Sequence, residues 1–146
     1  AESLGALLQH VKPHGALYNL AARDIITARC IARAVKDFDS RLILVGLSGS
    51  HAITEAAIMG LSTASEVFAD RTYQDDGSLT PRTLPGALIT DAEQMLKQVD
   101  QIVKERTVTT LNGTIIPLHA DTICIHGDGS HALTFAKAIH QSFFTA

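Results

Sequence analysis

Residues 41–46 read Arg41-Leu42-Ile43-Leu44-Val45-Gly46, four consecutive apolar side chains closed by a glycine. Polar residues do not alternate with apolar ones here, so neither face of the segment is suited to water. Such a run belongs in the interior of a parallel sheet covered on both sides. The flanking sequence fits that setting. Upstream, Leu17, Ala21, Ile25, Ala28, Ala32 and Val35 recur at intervals of three and four, while Arg23, Asp24, Arg29, Arg33 and Lys36 lie mostly off that stripe. The spacing predicts one amphipathic helix packed on a core. Downstream, Ser50 or a neighbour caps a short helix through Met59, which stops at Gly60 in the position after the last turn.

The same alternation continues in both directions. Leu7 to Lys12 reads as a short strand ended by Pro13, which cannot donate to a sheet ladder. Thr63 to Ala69 is a third strand, and Glu66 inside it needs either water or a partner. Asp70 to Thr90 holds two prolines, two glycines and no period, the mark of a lid or binding loop. Thr90 and Glu93 have capping-box spacing ahead of a helix bearing Ala92, Met95, Val99, Ile102 and Val103 on one side. Asn112-Gly113 between β-prone runs signals a hairpin. Asp121 to Ile125 then reads as a fourth strand, and Ser130 to Phe144 as a closing helix. Four strand–helix units with a small β-hairpin inserted give an α/β fold with parallel strands, taken as a single domain over residues 1–146.

Composition narrows the function. The 146 residues are 46% apolar, enough to build a core. Twelve basic against fifteen acidic residues leave a net charge of −3, without the basic excess of a nucleic-acid binder. No apolar run approaches the roughly 18 residues that a membrane-spanning helix needs. The opening AESLGALLQH has no charged leader or cleavage pattern. Cys30 and Cys124 have no CxxC spacing and read as two buried thiols in a reducing compartment, which points to a cytoplasmic protein.

Polar and titratable residues gather where the strands end, which in parallel α/β folds is where chemistry collects. After the first strand stand Lys12, His14 and Asn19; a lysine close to a histidine suits acid–base work, and a helix-entry turn is the alternative. Gly46 to Ser50 (GLSGS) opens a helix and offers backbone N–H groups to an anion, or is simply a tight turn. Asp70 and Arg71 close the third strand. Asp70 could act as a base and Arg71 could fork onto a carboxylate, or the two could form a local surface ion pair. Tyr73 and Arg82 in the following loop are candidate ligand contacts. Ile125 to Ser130 (IHGDGS) places His126, Gly127 and Asp128 before a helix N-terminus that favours an anion. His10 and His14 straddle Pro13 and cannot form a helical metal pair, and no familiar zinc motif is present.

Three segments together, VKPHGALYN (Val11 to Asn19), EVFADRTYQDDGSLTPR (Glu66 to Arg82) and ICIHGD (Ile123 to Asp128), resemble the LamB/YcsF family, the 5-oxoprolinase A subunits. The resemblance implies an irregular β/α barrel similar to that of polysaccharide (NodB-like) deacetylases. It implies ATP-dependent opening of the lactam 5-oxoproline to L-glutamate, with B and C subunits as partners and ATP, accompanied by Mg, as co-substrate. Under that reading Lys12 and Arg71 stabilise phosphate or carboxylate charge, His14 or Asp70 handles a proton, and the Asp128 loop orients the ligand, with Asn19, Tyr73, Arg82, His126 and Gly127 as binding residues. Family members carry roughly a hundred further N-terminal residues, so the chain resembles the C-terminal half of a barrel, and its sheet edge beside Leu7 to Lys12 needs that half or another copy of the chain to cover it. A metal-dependent deacetylase-like hydrolase and a non-catalytic binding fragment of the complex are the alternatives.

Overall fold

The computed structural model describes residues 5–127 and 131–143. The chain forms two compact units, Ala1–Glu66 and Val67–Ala146. In the first, strands β1 (His10–Val11), β2 (Ile43–Leu47) and β3 (Ser62–Phe68) lie side by side in that order. Both pairings are parallel, with Val11 opposite Leu44 and Leu47 opposite Glu66. Burial on both faces holds from Leu44 through Leu47, but Ile43, at the entry to the strand, is one-third exposed. Leu42 and Leu44 pack with Ala21, Ala32, Val35, Ala52, Ala56 and Leu61.

The helix expected from Leu17 onward is two helices, α1 (Gly15–Arg23) and α2 (Ile25–Phe38). The break is made by Asp24, whose extended backbone and carboxylate cap α2 by accepting bonds from the Thr27 N–H and hydroxyl. A break shifts the helical phase. Ala21, Ala28, Ala32 and Val35 are buried as the stripe requires, yet Leu17 and Ile25 are exposed. Cys30 also lies outside, exposed on α2, and Cys124 is half-buried; the two do not form a disulfide. The first strand is shorter than its pattern, since Leu7 and Leu8 stay exposed ahead of it.

Helix α3 (His51–Ile58) follows β2 closely. A Cβ at Gly46 would stand 3.0 Å from the Ala52 Cβ, so glycine sets the approach of helix to strand. Gly46→Val is expected to lower unfolding stability in urea by about 1–3 kcal/mol through overpacking; wild-type stability would mean that α3 can retreat freely. The end of α2 carries a second local device. The Asp39 carboxylate accepts from the Arg41 guanidinium and N–H, which holds it at about 2, below its ordinary 3.8. Because the folded value is the lower one, the stabilisation is present above 3.8 and is lost as pH falls from there through about 2. An NMR titration should place the Asp39 midpoint near the lower value, and Arg41→Gln should raise it.

In the second unit, Val67 and Phe68 complete β3 and β6 (Thr122–Cys124) is its neighbour, with the Ala69 N–H bonded to the Cys124 carbonyl at 3.0 Å. Helices α4 (Ala92–Asp100) and α5 (Ala132–Phe143) cover this end through Met95, Val99, Phe135 and Ile139, which pack with Ala69 and Ile89. Asp91, one residue after the expected Thr90, caps α4. One π-helical turn, Gln101–Glu105, extends α4 and closes at Arg106 in the left-handed region. Strands β4 (Thr107–Thr109) and β5 (Ile115–Pro117) pair antiparallel around Asn112-Gly113. The molecule is thus a mixed α/β protein with parallel strands, and none of its described helices is long and apolar enough to cross a membrane.

Asp70 to Thr90 is folded rather than structureless. Bridges join Arg71 to Leu88 and Tyr73 to Leu79, and Thr72, Tyr73, Thr80, Ala87 and Ile89 are buried. Here the polar side chains satisfy the backbone, which hydropathy periodicity does not register: Thr72 Oγ1 bonds to both Thr80 Oγ1 and the Gly86 carbonyl.

Candidate functional site

Each unit presents polar groups at its strand ends. In the first unit, Lys12 leaves β1 and its ammonium donates to Glu66 Oε1 at 2.7 Å. Glu66 is the buried member, with a side chain 4% exposed against 24% for Lys12. Its second oxygen, Oε2, is buried with no hydrogen-bond partner among the described residues, as is Ser50 Oγ. An unpartnered buried acceptor costs about 1–3 kcal/mol, so stability alone does not explain the carboxylate. The strand position that needed a partner therefore has one, with capacity left over.

His14 and Asn19 are placed differently. His14 is the exposed N-cap residue of α1 and its ring makes no capping bond. Asn19 is exposed and donates to the Gly15 carbonyl one turn back. Neither contacts the Lys12–Glu66 pair through any described hydrogen bond. The GLSGS turn brings Ser48 and Ser50 to buried positions ahead of α3, with the Ser48 N–H bonded to the Glu66 carbonyl at 2.9 Å.

In the second unit, Asp70 meets His126. The Asp70 carboxylate accepts the His126 backbone N–H at 2.9 Å, and both of its oxygens lie 3.0 Å from His126 Nδ1. Against a carboxylate, Nδ1 carries the proton and Nε2 is left as the free lone pair. Phe68 stacks on the imidazole with centroids 5.6 Å apart, which fixes the ring plane. Asp70 and Arg71 do not form a surface ion pair with each other. Arg71 is buried and donates to the Ala87 and Thr80 carbonyls, lashing the loop. Burial lowers its pKa, and repulsion from Arg82 adds to the effect while Asp70 opposes it. The charge of Arg82 is thereby felt at Arg71, although Arg82 itself is exposed.

Tyr73 has no exposed surface, and its hydroxyl accepts the Phe68 N–H at 2.8 Å. Gly127 is exposed in a turn after β6. Asp128 lies outside the described residues. Among the described residues no three His, Cys, Asp or Glu side chains lie close enough to hold a metal ion.

Gln98 escapes the sequence reading. Its amide donates to the carbonyls of Phe68 and Arg71 at 2.9 Å and of Ala69 at 3.3 Å, pinning the turn that carries Asp70. A glutamine on the polar side of a helix gives no signal of this in sequence, because its partners lie some thirty residues away.

The model of the LamB/YcsF family matches residues 1–146. The chain belongs to the LamB/YcsF family. Among relatives, the 5-oxoprolinase A subunit of Tolumonas auensis is 53% identical over 146 residues, covering all of this chain and 58% of that protein. The protein of the same name from Geobacillus kaustophilus is 52% identical over 138 residues, covering 94% of this chain and 54% of its own length. The crystal structure of a lactam utilization protein from Thermus thermophilus matches with a TM-score of 0.85 at 43% identity, over 97% of this chain and 57% of that one. This LamB/YcsF chain therefore spans little more than half the length of the relatives it matches.

Proposed function

We propose that the chain belongs to the A component of an ATP-dependent 5-oxoprolinase, which opens 5-oxoproline to L-glutamate together with B and C subunits. The Asp70–His126 pair carries this reading, in a chain more than half identical to proteins bearing that name. A lactam amide is a weak electrophile and its nitrogen a poor leaving group. Transfer of the ATP γ-phosphoryl group to the lactam oxygen, with release of ADP, makes the ring carbon electrophilic. One water then adds there and the C–N bond breaks to leave an acyl phosphate, which a second water hydrolyses to the free carboxylate and inorganic phosphate. His126 Nε2 takes a proton from the attacking water and returns it to the departing nitrogen, while Asp70 holds the ring in the required tautomer.

Lys12 supplies positive charge to an anionic oxygen, Arg82 to a carboxylate or phosphate, Gly127 lets the ligand approach the backbone, and Asp128 orients the ligand as the resemblance implies. Arg71 and Tyr73 act by holding the 70–90 segment. The larger architecture is proposed to be the NodB-like β/α barrel that the resemblance implies, with the β4–β5 hairpin as an insertion. The test is ATP hydrolysis by the full-length protein with and without 5-oxoproline and its partner subunits. Hydrolysis that depends on both supports the proposal, and ATP turnover indifferent to 5-oxoproline would sink it.

A further inference from the structure

We infer that Lys12 and Glu66 form a reader for the edge of a cyclic amide, with Glu66 accepting the ring N–H and Lys12 donating to the ring carbonyl. The inference rests on the 5-oxoprolinase reading and names the residues that would distinguish a lactam from other small carboxylates. A five-membered lactam is locked in the cis amide form, so its N–H and C=O point to the same side. From standard bond lengths the nitrogen and oxygen of that edge are roughly 2.3 Å apart. An open-chain trans amide presents the two groups on opposite sides and cannot engage a neighbouring donor and acceptor at once.

The pair in this protein has the matching form. An ammonium donor and a carboxylate acceptor stand 2.7 Å apart, close to the spacing of the lactam edge. Lys12 keeps donor protons beyond the one given to Glu66. Oε1, the carboxylate oxygen of that pair, accepts one bond from Lys12 and keeps a second lone pair for the ring N–H, while Oε2 is buried with no partner among the described residues. Lys12 is the more exposed member, so a ligand reaches the pair from the lysine side chain. Two parallel bonds with charged partners reward the cis edge and leave a buried carboxylate facing a lone pair when the N–H is missing.

The probe is the γ-lactone counterpart of 5-oxoproline, in which a ring oxygen replaces the N–H without adding bulk. Binding of each compound to the full-length protein with its partner subunits is measured by calorimetry, alongside 5-oxoproline-dependent ATP hydrolysis. The unaltered enzyme is expected to prefer the lactam by about 100-fold or more. Glu66→Gln, close to isosteric, is expected to bring that preference below about tenfold while the thermal melt stays cooperative. Equal binding of lactam and lactone by the unaltered enzyme overturns this inference and leaves the 5-oxoprolinase reading standing. So does a folded Glu66→Gln variant that keeps the full preference. Failure of the unaltered enzyme either to bind or to turn over 5-oxoproline overturns the underlying reading and this inference with it.

Discussion

Asp70→Asn in the full-length enzyme with its partner subunits lowers 5-oxoproline-dependent ATP hydrolysis by about 10²–10⁴-fold, with a near wild-type thermal melt. The carboxylate does two things that an amide cannot do together. It accepts the His126 backbone N–H and also fixes the Nδ1 proton, so that Nε2 is free to accept. An asparagine that turns its oxygen to the backbone N–H presents its NH2 to Nδ1. The imidazole then takes the opposite tautomer, with its proton on the wrong nitrogen. His126→Ala is expected to cost a similar factor. The double variant should be little worse than either single one, because residues acting as a unit are not additive. Steady-state kinetics on the three variants decides the matter: independent, multiplying losses, or near wild-type turnover in Asp70→Asn, would exclude the pair as a proton-handling unit.

Arg71→Met is expected to destabilise the protein by about 1–3 kcal/mol in urea unfolding, since it leaves the Thr80 carbonyl buried without its donor and the Ala87 carbonyl with the Thr72 N–H alone. Arg71→Lys should recover only part of the loss, because an ammonium lacks the rigid fork that spans two carbonyls. The loss should come with faster proteolysis inside residues 70–90. An Arg71→Met protein of unchanged stability but impaired turnover would reverse the assignment and return Arg71 to ligand binding.

Much of the architecture was legible because it depends on local rules. The buried run at Leu44–Leu47, the α3 stop at Gly60 and the Asn112-Gly113 turn each follow from hydropathy or turn chemistry within a few residues. Where a polar side chain bonds the backbone, the same rules misread the chain. Asp24 capping α2 splits what periodicity presents as one helix, and Asp91 moves the start of α4 by one residue. Asp70–Thr90 looks structureless because its order comes from threonine hydroxyls and a buried guanidinium, neither of which has a hydropathic period.

Sequence by itself determined the fold class, the strand ends at which Lys12, Asp70 and His126 stand, and the family. Each of these is a matter of residue type and of spacing along the chain. Tertiary structure alone decided which groups meet. Lys12 finds Glu66 across 54 residues and Asp70 finds His126 across 56. Arg71, a neighbour of Asp70 in sequence, turns into the 70–90 segment instead of pairing with it. The physical reason is that burial removes water as a competitor, so each buried charge takes the partner that the packing brings within reach, wherever that partner lies in the sequence.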